Sequence, residues 1–112
     1  MIDNKKITIV LPAYNAEKTL EQTYQDIPFD IVDDIILVDD LSSDNTIQKA
    51  REIGIRHIIE HKRNKGYGGN QKSCYDKALE LNSDIVVMLH SNYPQWPTLM
   101  KSMFYIIANG LF

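Results

Sequence analysis

Three features of the chain predict an α/β fold with a mostly parallel sheet and helices on both faces. Short β-branched runs recur four times, a stretch with helical spacing of apolar residues follows each, and no long linker interrupts the alternation. Parallel strands joined this way need right-handed crossovers, which carry the helices onto the sheet faces. The first run, ITIVLP at residues 7–12, is apolar on both faces, with Pro12 as its expected end. From Asn15, an expected N-cap, Ala16, Leu20, Tyr24 and Ile27 fall on one helical face. The second run, DIILVD at residues 34–39, leads to a helix opened by Ser42 or Ser43, with Ile47, Ala50 and Ile53 inward and Gly54 as its stop. A third and more polar strand, RHIIEH at residues 56–61, precedes the glycine-bearing loop KRNKGYGGN and a helix carrying Cys74, Tyr75, Ala78, Leu79 and Leu81, with Cys74 on its inward stripe. The fourth strand is DIVVML at residues 84–89, and Pro97 suits the first turn of a last helix through Met103, Phe104 and Ile107. On this reading the 112 residues form a single, partial domain that ends after the fourth strand–helix unit, leaving an open sheet edge through which copies could self-associate.

Composition narrows the function. With 44% hydrophobic and 24% charged residues the chain has ordinary globular usage, so it is expected to fold. A formal net charge of -3 gives no basic stripe for nucleic acid. The lone Cys74 has no partner for an intrachain disulfide or a CxxC zinc site, consistent with a reducing compartment. The start MIDNKKITIV lacks the apolar core of a signal peptide, and no apolar run reaches the roughly 18 residues of a spanning helix. A cytoplasmic location is the expectation, with peripheral membrane association left open.

The stretch ILVDDLSSDNT sends a buried strand into two adjacent carboxylates, Asp39 and Asp40. Turn and cap preferences account for Asp44, since Asp, Ser and Asn favour such positions regardless of function. An adjacent acid pair is harder to explain that way, because two like charges so close cost energy unless donors or cations sit nearby. In a parallel sheet, ligands gather outside the carboxyl ends of the strands, where carboxylates can accept from ribose hydroxyls or a base N–H. Two other α/β modules are disfavoured. A dinucleotide-binding unit needs GxGxxG after its first strand, where this chain has LPAYNAEK. A phosphoacceptor receiver needs an acid pair after the first strand and another acid after the third, and residues 61–64 supply none.

Taken together and in order, LPAYNAE, ILVDDLSSDNT, NKGYGGNQKS and VVMLHSNYPQWP resemble the nucleotide-binding half of family-2 glycosyltransferases, nearest the dolichol- and polyprenyl-phosphate sugar transferase branch. The resemblance spans essentially the whole chain. It implies a Rossmann-like GT-A fold and transfer of a sugar, with inversion, from a nucleotide-diphosphate sugar to an acceptor such as a polyprenyl phosphate or a saccharide. By the same resemblance, Pro12, Ala13 and Tyr14 line the base and ribose pocket, with Asn15 or Glu17 bracing it. Asp40 is the partner of base or ribose, and Asp39 supports the loop or the same pocket. Asn64, Gly66 and the helix start near Gly69 and Asn70 border the nucleotide, and Lys72 reaches the diphosphate. Glycines ahead of a helix N-terminus suit an anion on physical grounds as well.

The family pattern implies a divalent cation, Mn²⁺ or Mg²⁺, held by an acidic D-x-D or H-P-D motif where this chain has His90, Ser91 and Asn92. Asn92 replaces the second acid, and a neutral amide is a poorer ligand for a hard cation, so His90 and Asn92 form a weakened site. Tyr93 and Trp96, beside Pro94 and Pro97, read as loop anchors, and Cys74 as a small core residue. No catalytic base is identifiable, because the resemblance places it in the acceptor-binding half. A non-catalytic nucleotide-binding protein is the alternative to an active transferase.

Overall fold

The computed structural model describes residues 1 and 4–90, and the backbone of 106–108. Among these, five strands form one sheet in the order β3-β2-β1-β4-β5. β1 (Ile7–Ala13), β2 (Asp34–Asp39), β3 (His57–Glu60) and β4 (Ile85–Met88) are mutually parallel. The expected parallel α/β sheet is therefore present. Chain order runs outward from β1 to β2 and β3, then returns to the other side of β1 for β4, so the sheet reverses direction of growth beside β1.

Burial on both faces explains the central strands. Along β1, Ile9 and Leu11 pack with Leu20, Leu37 and Ala50 on the side of α1 (Leu20–Gln25) and α2 (Thr46–Ile53). Val10 points the other way, joining Ile36, Val38, Cys74 and Ala78 under α3 (Gly66–Glu80). Each fully buried Val, Leu or Ile contributes roughly 1.5–3 kcal/mol, and both halves of the alternation are apolar. β3 is only half-buried, which accounts for its more polar sequence.

Several local expectations are corrected. β1 does not end at Pro12: that residue pairs with Val38, and Ala13 with Asp39. The last β1–β4 pair is Val10 with Met88, and Leu89 N–H donates to Val10 O at 3.0 Å. Residues two apart in a strand face the same neighbour, so the N–H that Pro12 lacks would point to the β4 side, past the end of that ladder. Asn15 does not cap α1, which starts at Leu20 behind Thr19; Asn15 adopts a left-handed φ of 50° instead. α2 begins at Thr46, not at the serines, and the Asp44 carboxylate accepts the Thr46 N–H at 3.1 Å. Gly54 ends it in the left-handed region at φ 99°, as expected of a C-cap glycine. The glycine-bearing loop is largely the first turn of α3, and Leu79 is exposed on that helix while Cys74 is buried.

Ile107, expected in a helix, lies instead on β5 (Ile106–Ala108), which runs antiparallel to β4 with Ile107 opposite Val86. β4 is thus an inner strand, with β5 and β3 as the outer strands of the described sheet. The remainder of that expected helix, together with Tyr93 and Trp96, falls outside the described residues.

Candidate functional site

At the carboxyl ends of β1, β2 and β4 the chain encloses a cleft of about 560 Å³ lined by Pro12, Ala13, Tyr14, Asp40, Asn64, Gly66, Tyr67, Asn70 and His90. It lies where the β1–β4 ladder has ended and the sheet changes direction, the place where parallel α/β sheets open a crevice. Its rim is aromatic: Tyr14 is 47% and Tyr67 56% exposed.

Asp40 organises the floor. Its backbone N–H donates to Ala13 O at 3.0 Å, continuing the β2–β1 alignment by one residue. Its side chain is buried, yet donors from the next loop surround it. Oδ1 accepts the Lys65 N–H at 2.7 Å and faces His61 Nδ1 at 2.9 Å, while Oδ2 accepts the Gly66 N–H at 2.9 Å. Burial alone would raise the Asp40 pKa, but the Lys65 N–H, His61 and the Gly66 N–H outweigh it and hold the carboxyl below its ordinary value. The ionised group therefore caps α3 from a different strand. A carboxylate has about four acceptor positions, so these three donors leave one on Oδ2, and Asp40 is among the residues lining the cleft.

The asparagines lock the same corner. Asn64 Nδ2 donates to Asp40 O at 3.1 Å, and its Oδ1 accepts the Gly66 N–H at 3.0 Å. Asn70 is buried and donates to Val38 O at 3.0 Å and Ala13 O at 3.4 Å, tying α3 to the ends of two strands. Gly66 has a φ of 77°, a conformation that favours glycine. Across the cleft, Tyr67 stacks on His90 with ring centroids 5.4 Å apart and its hydroxyl 2.9 Å from Nε2. Burial pushes the His90 pKa down, which favours the neutral imidazole, whose Nε2 can accept the phenol proton.

The remaining sequence candidates stand outside the lining. Asp39 is buried and accepts the Ser42 N–H at 2.9 Å and the Ser42 hydroxyl, holding the β2–α2 loop. Asn15 fastens that loop to the end of β1: its N–H donates to Ser42 Oγ and its Oδ1 accepts the Ser43 N–H, both at 2.8 Å. Glu17 accepts the Asn45 N–H at 3.2 Å and borders a separate hollow between α1 and α2. Lys72 is exposed on α3. Asn92 lies outside the described residues. Sequence reasoning missed His61 and Tyr67, whose partners at Asp40 and His90 are 21 and 23 residues away.

Among the described residues no three His, Cys, Asp or Glu side chains converge. Asp40 is committed to three donors, and His90 Nε2 to Tyr67. No step below is routed through a metal.

The family description "Glycosyl transferase family 2" matches residues 8–91. The chain belongs to glycosyl transferase family 2. Relatives of this family member include the UDP-N-acetylglucosamine–dolichyl-phosphate N-acetylglucosaminyltransferase of Methanococcus voltae, 33% identical over 75% of the chain and 40% of that protein. The dolichol-phosphate mannosyltransferase of Pyrococcus furiosus is 24% identical over 94% of the chain and 31% of that protein. The chain thus spans well under half the length of these curated relatives. Among solved structures, glucosyl-3-phosphoglycerate synthase from Mycobacterium tuberculosis in complex with UDP superposes with a TM-score of 0.67 at 26% identity, over 80% of the chain and 34% of that one. The same enzyme has also been crystallised with Mn²⁺, UDP-glucose and phosphoglyceric acid. The GT-A glycosyltransferase fold expected from the sequence is therefore present.

Proposed function

We propose that this chain is the donor-binding part of a cytoplasmic glycosyltransferase that takes a sugar from a nucleotide-diphosphate sugar. The observation that carries the reading is the cleft at the β1–β4 reversal, which Asp40 lines together with the exposed rings of Tyr14 and Tyr67. A base needs an apolar face to stack on and an acceptor for a ring N–H or a ribose hydroxyl, and the cleft offers both. Pro12, Ala13, Asn64 and Gly66 complete its walls. Asn15, Glu17 and Asp39 act indirectly, by fastening the β1 and β2 ends that carry Tyr14 and Asp40. Lys72 is at most a peripheral contact to the diphosphate.

In the reaction, the bond from the anomeric carbon to the diphosphate oxygen breaks and a bond to an acceptor oxygen forms, with inversion. This chain's part is to bind and orient the leaving nucleotide. The acceptor, a polyprenyl phosphate or a saccharide, and any base belong to the rest of a full-length relative. The amide at Asn92 and the donor set above favour nucleotide binding that needs little help from a cation. Calorimetric titration with UDP, GDP and CDP, with Mn²⁺ or with EDTA, tests the reading. One of the three is expected to bind in either buffer; no binding by any of them overturns it.

A further inference from the structure

His61 is 5% exposed and stands one residue past β3, where its N–H donates to Asp39 O at 2.9 Å. Its ring bridges two elements: Nδ1 lies 2.9 Å from Asp40 Oδ1, and Nε2 lies 2.8 Å from Ser73 Oγ on α3. Asp40 is held ionised, so it accepts, and Nδ1 must carry the proton. In the neutral imidazole Nε2 then accepts the Ser73 hydroxyl proton. The line of Asp, His and Ser resembles a nucleophile relay, yet Ser73 is not among the residues lining the cleft, so the line has no substrate to attack. It does have a mechanical consequence. Asp40 has its two oxygens shared among three donors, and two of these are backbone groups of the loop that the carboxylate itself caps. His61 is the donor that comes from the end of β3 instead.

We propose that His61 is a positioning residue for the nucleotide cleft: its Nδ1–H fixes the Asp40 carboxylate so that the remaining Oδ2 acceptor faces the ligand. The inference rests on the nucleotide-binding reading above. Two substitutions separate positioning from simple support. An asparagine at 61 places its amide where Nδ1 stands, keeping a donor for Asp40. A glutamine places its amide near the Nε2 position, reaching Ser73 but leaving Asp40 without its side-chain donor.

The experiment measures, for wild type, His61→Gln and His61→Asn, the thermal midpoint and the calorimetric affinity for whichever of UDP, GDP or CDP the wild type binds. Each variant loses one buried hydrogen bond, so both midpoints should fall by similar amounts. The affinities should diverge. His61→Gln weakens binding about tenfold, the scale of losing one hydrogen bond to a charged group, and His61→Asn recovers most of that loss. Equal affinities in the two folded variants would overturn the positioning role while leaving the nucleotide-binding reading intact. If His61→Gln does not fold, His61→Asn decides alone, and a tenfold loss in that folded variant contradicts the proposal. A wild type that binds none of the three nucleotides overturns the underlying reading, and the proposal with it.

Discussion

Replacing Asp40 by asparagine removes one charge from a site built around it, and the cost follows from the three donors. Hydrogen bonds to charged groups contribute roughly 1.5–3 kcal/mol each and neutral ones roughly 0.5–1.5. If the amide oxygen takes the place of Oδ1, the Lys65 N–H at 2.7 Å and His61 Nδ1 at 2.9 Å keep a partner, each bond weakened by about 1 kcal/mol. The new NH₂ then faces the Gly66 N–H, which retains Asn64 Oδ1 at 3.0 Å, so this donor is repelled but not orphaned. Adding about 1 kcal/mol for that repulsion brings the loss to about 3 kcal/mol. Against the 5–15 kcal/mol typical of a domain, that is a substantial fraction. With a urea slope of about 1–3 kcal/mol per molar, the midpoint falls by about 1–3 M. The pH dependence supplies a second check. The folded-state pKa of Asp40 is depressed, so its contribution is complete above the unfolded value of about 4 and is lost as pH falls through the lower folded value. The gap between wild type and Asp40→Asn should therefore narrow in acid. A variant with the wild-type midpoint at neutral pH, or a gap that persists unchanged in acid, would refute the capping argument.

Glycine positions in α3 should respond in opposite directions. A Cβ at Gly69 would lie 2.6 Å from Lys65 Cβ, so Gly69→Ala should destabilise by roughly 1–3 kcal/mol, whereas Gly68 has open space and Gly68→Ala should stabilise by roughly 0.5–1 kcal/mol. Thermal melts of the two variants check the pair. Burial pushes the Cys74 thiol up to about 12, so iodoacetamide should label native protein very slowly and urea-unfolded protein readily, as mass spectrometry would read.

What the sequence made legible follows from how locally each element is determined. β1 and β2 were readable because burial on both faces leaves an unbroken apolar run, and Asp40 stood out as an acid at the end of one. Asn15 misled because a residue of its type often caps a helix, whereas here its amide is used across the chain on Ser43. β5 was not readable: its three residues become a strand only by pairing with β4. His61 and Tyr67 escaped for a related reason. Nothing near them in sequence marks a partner; the β2–β3 register brings His61 to Asp40, and the first turn of α3 brings Tyr67 to His90.

The central claim is that the cleft at the carboxyl ends of β1, β2 and β4 holds a nucleotide. Amide resonances of ¹⁵N-labelled chain, followed during titration with the tightest-binding nucleoside diphosphate, test it most directly. Saturable shifts should appear at Ala13, Tyr14, Asp40, Gly66 and Tyr67, with Glu21, Gln48 and Glu52 in the hollow between α1 and α2 unmoved. Shifts confined to that hollow, or none at saturating nucleotide, would contradict the account.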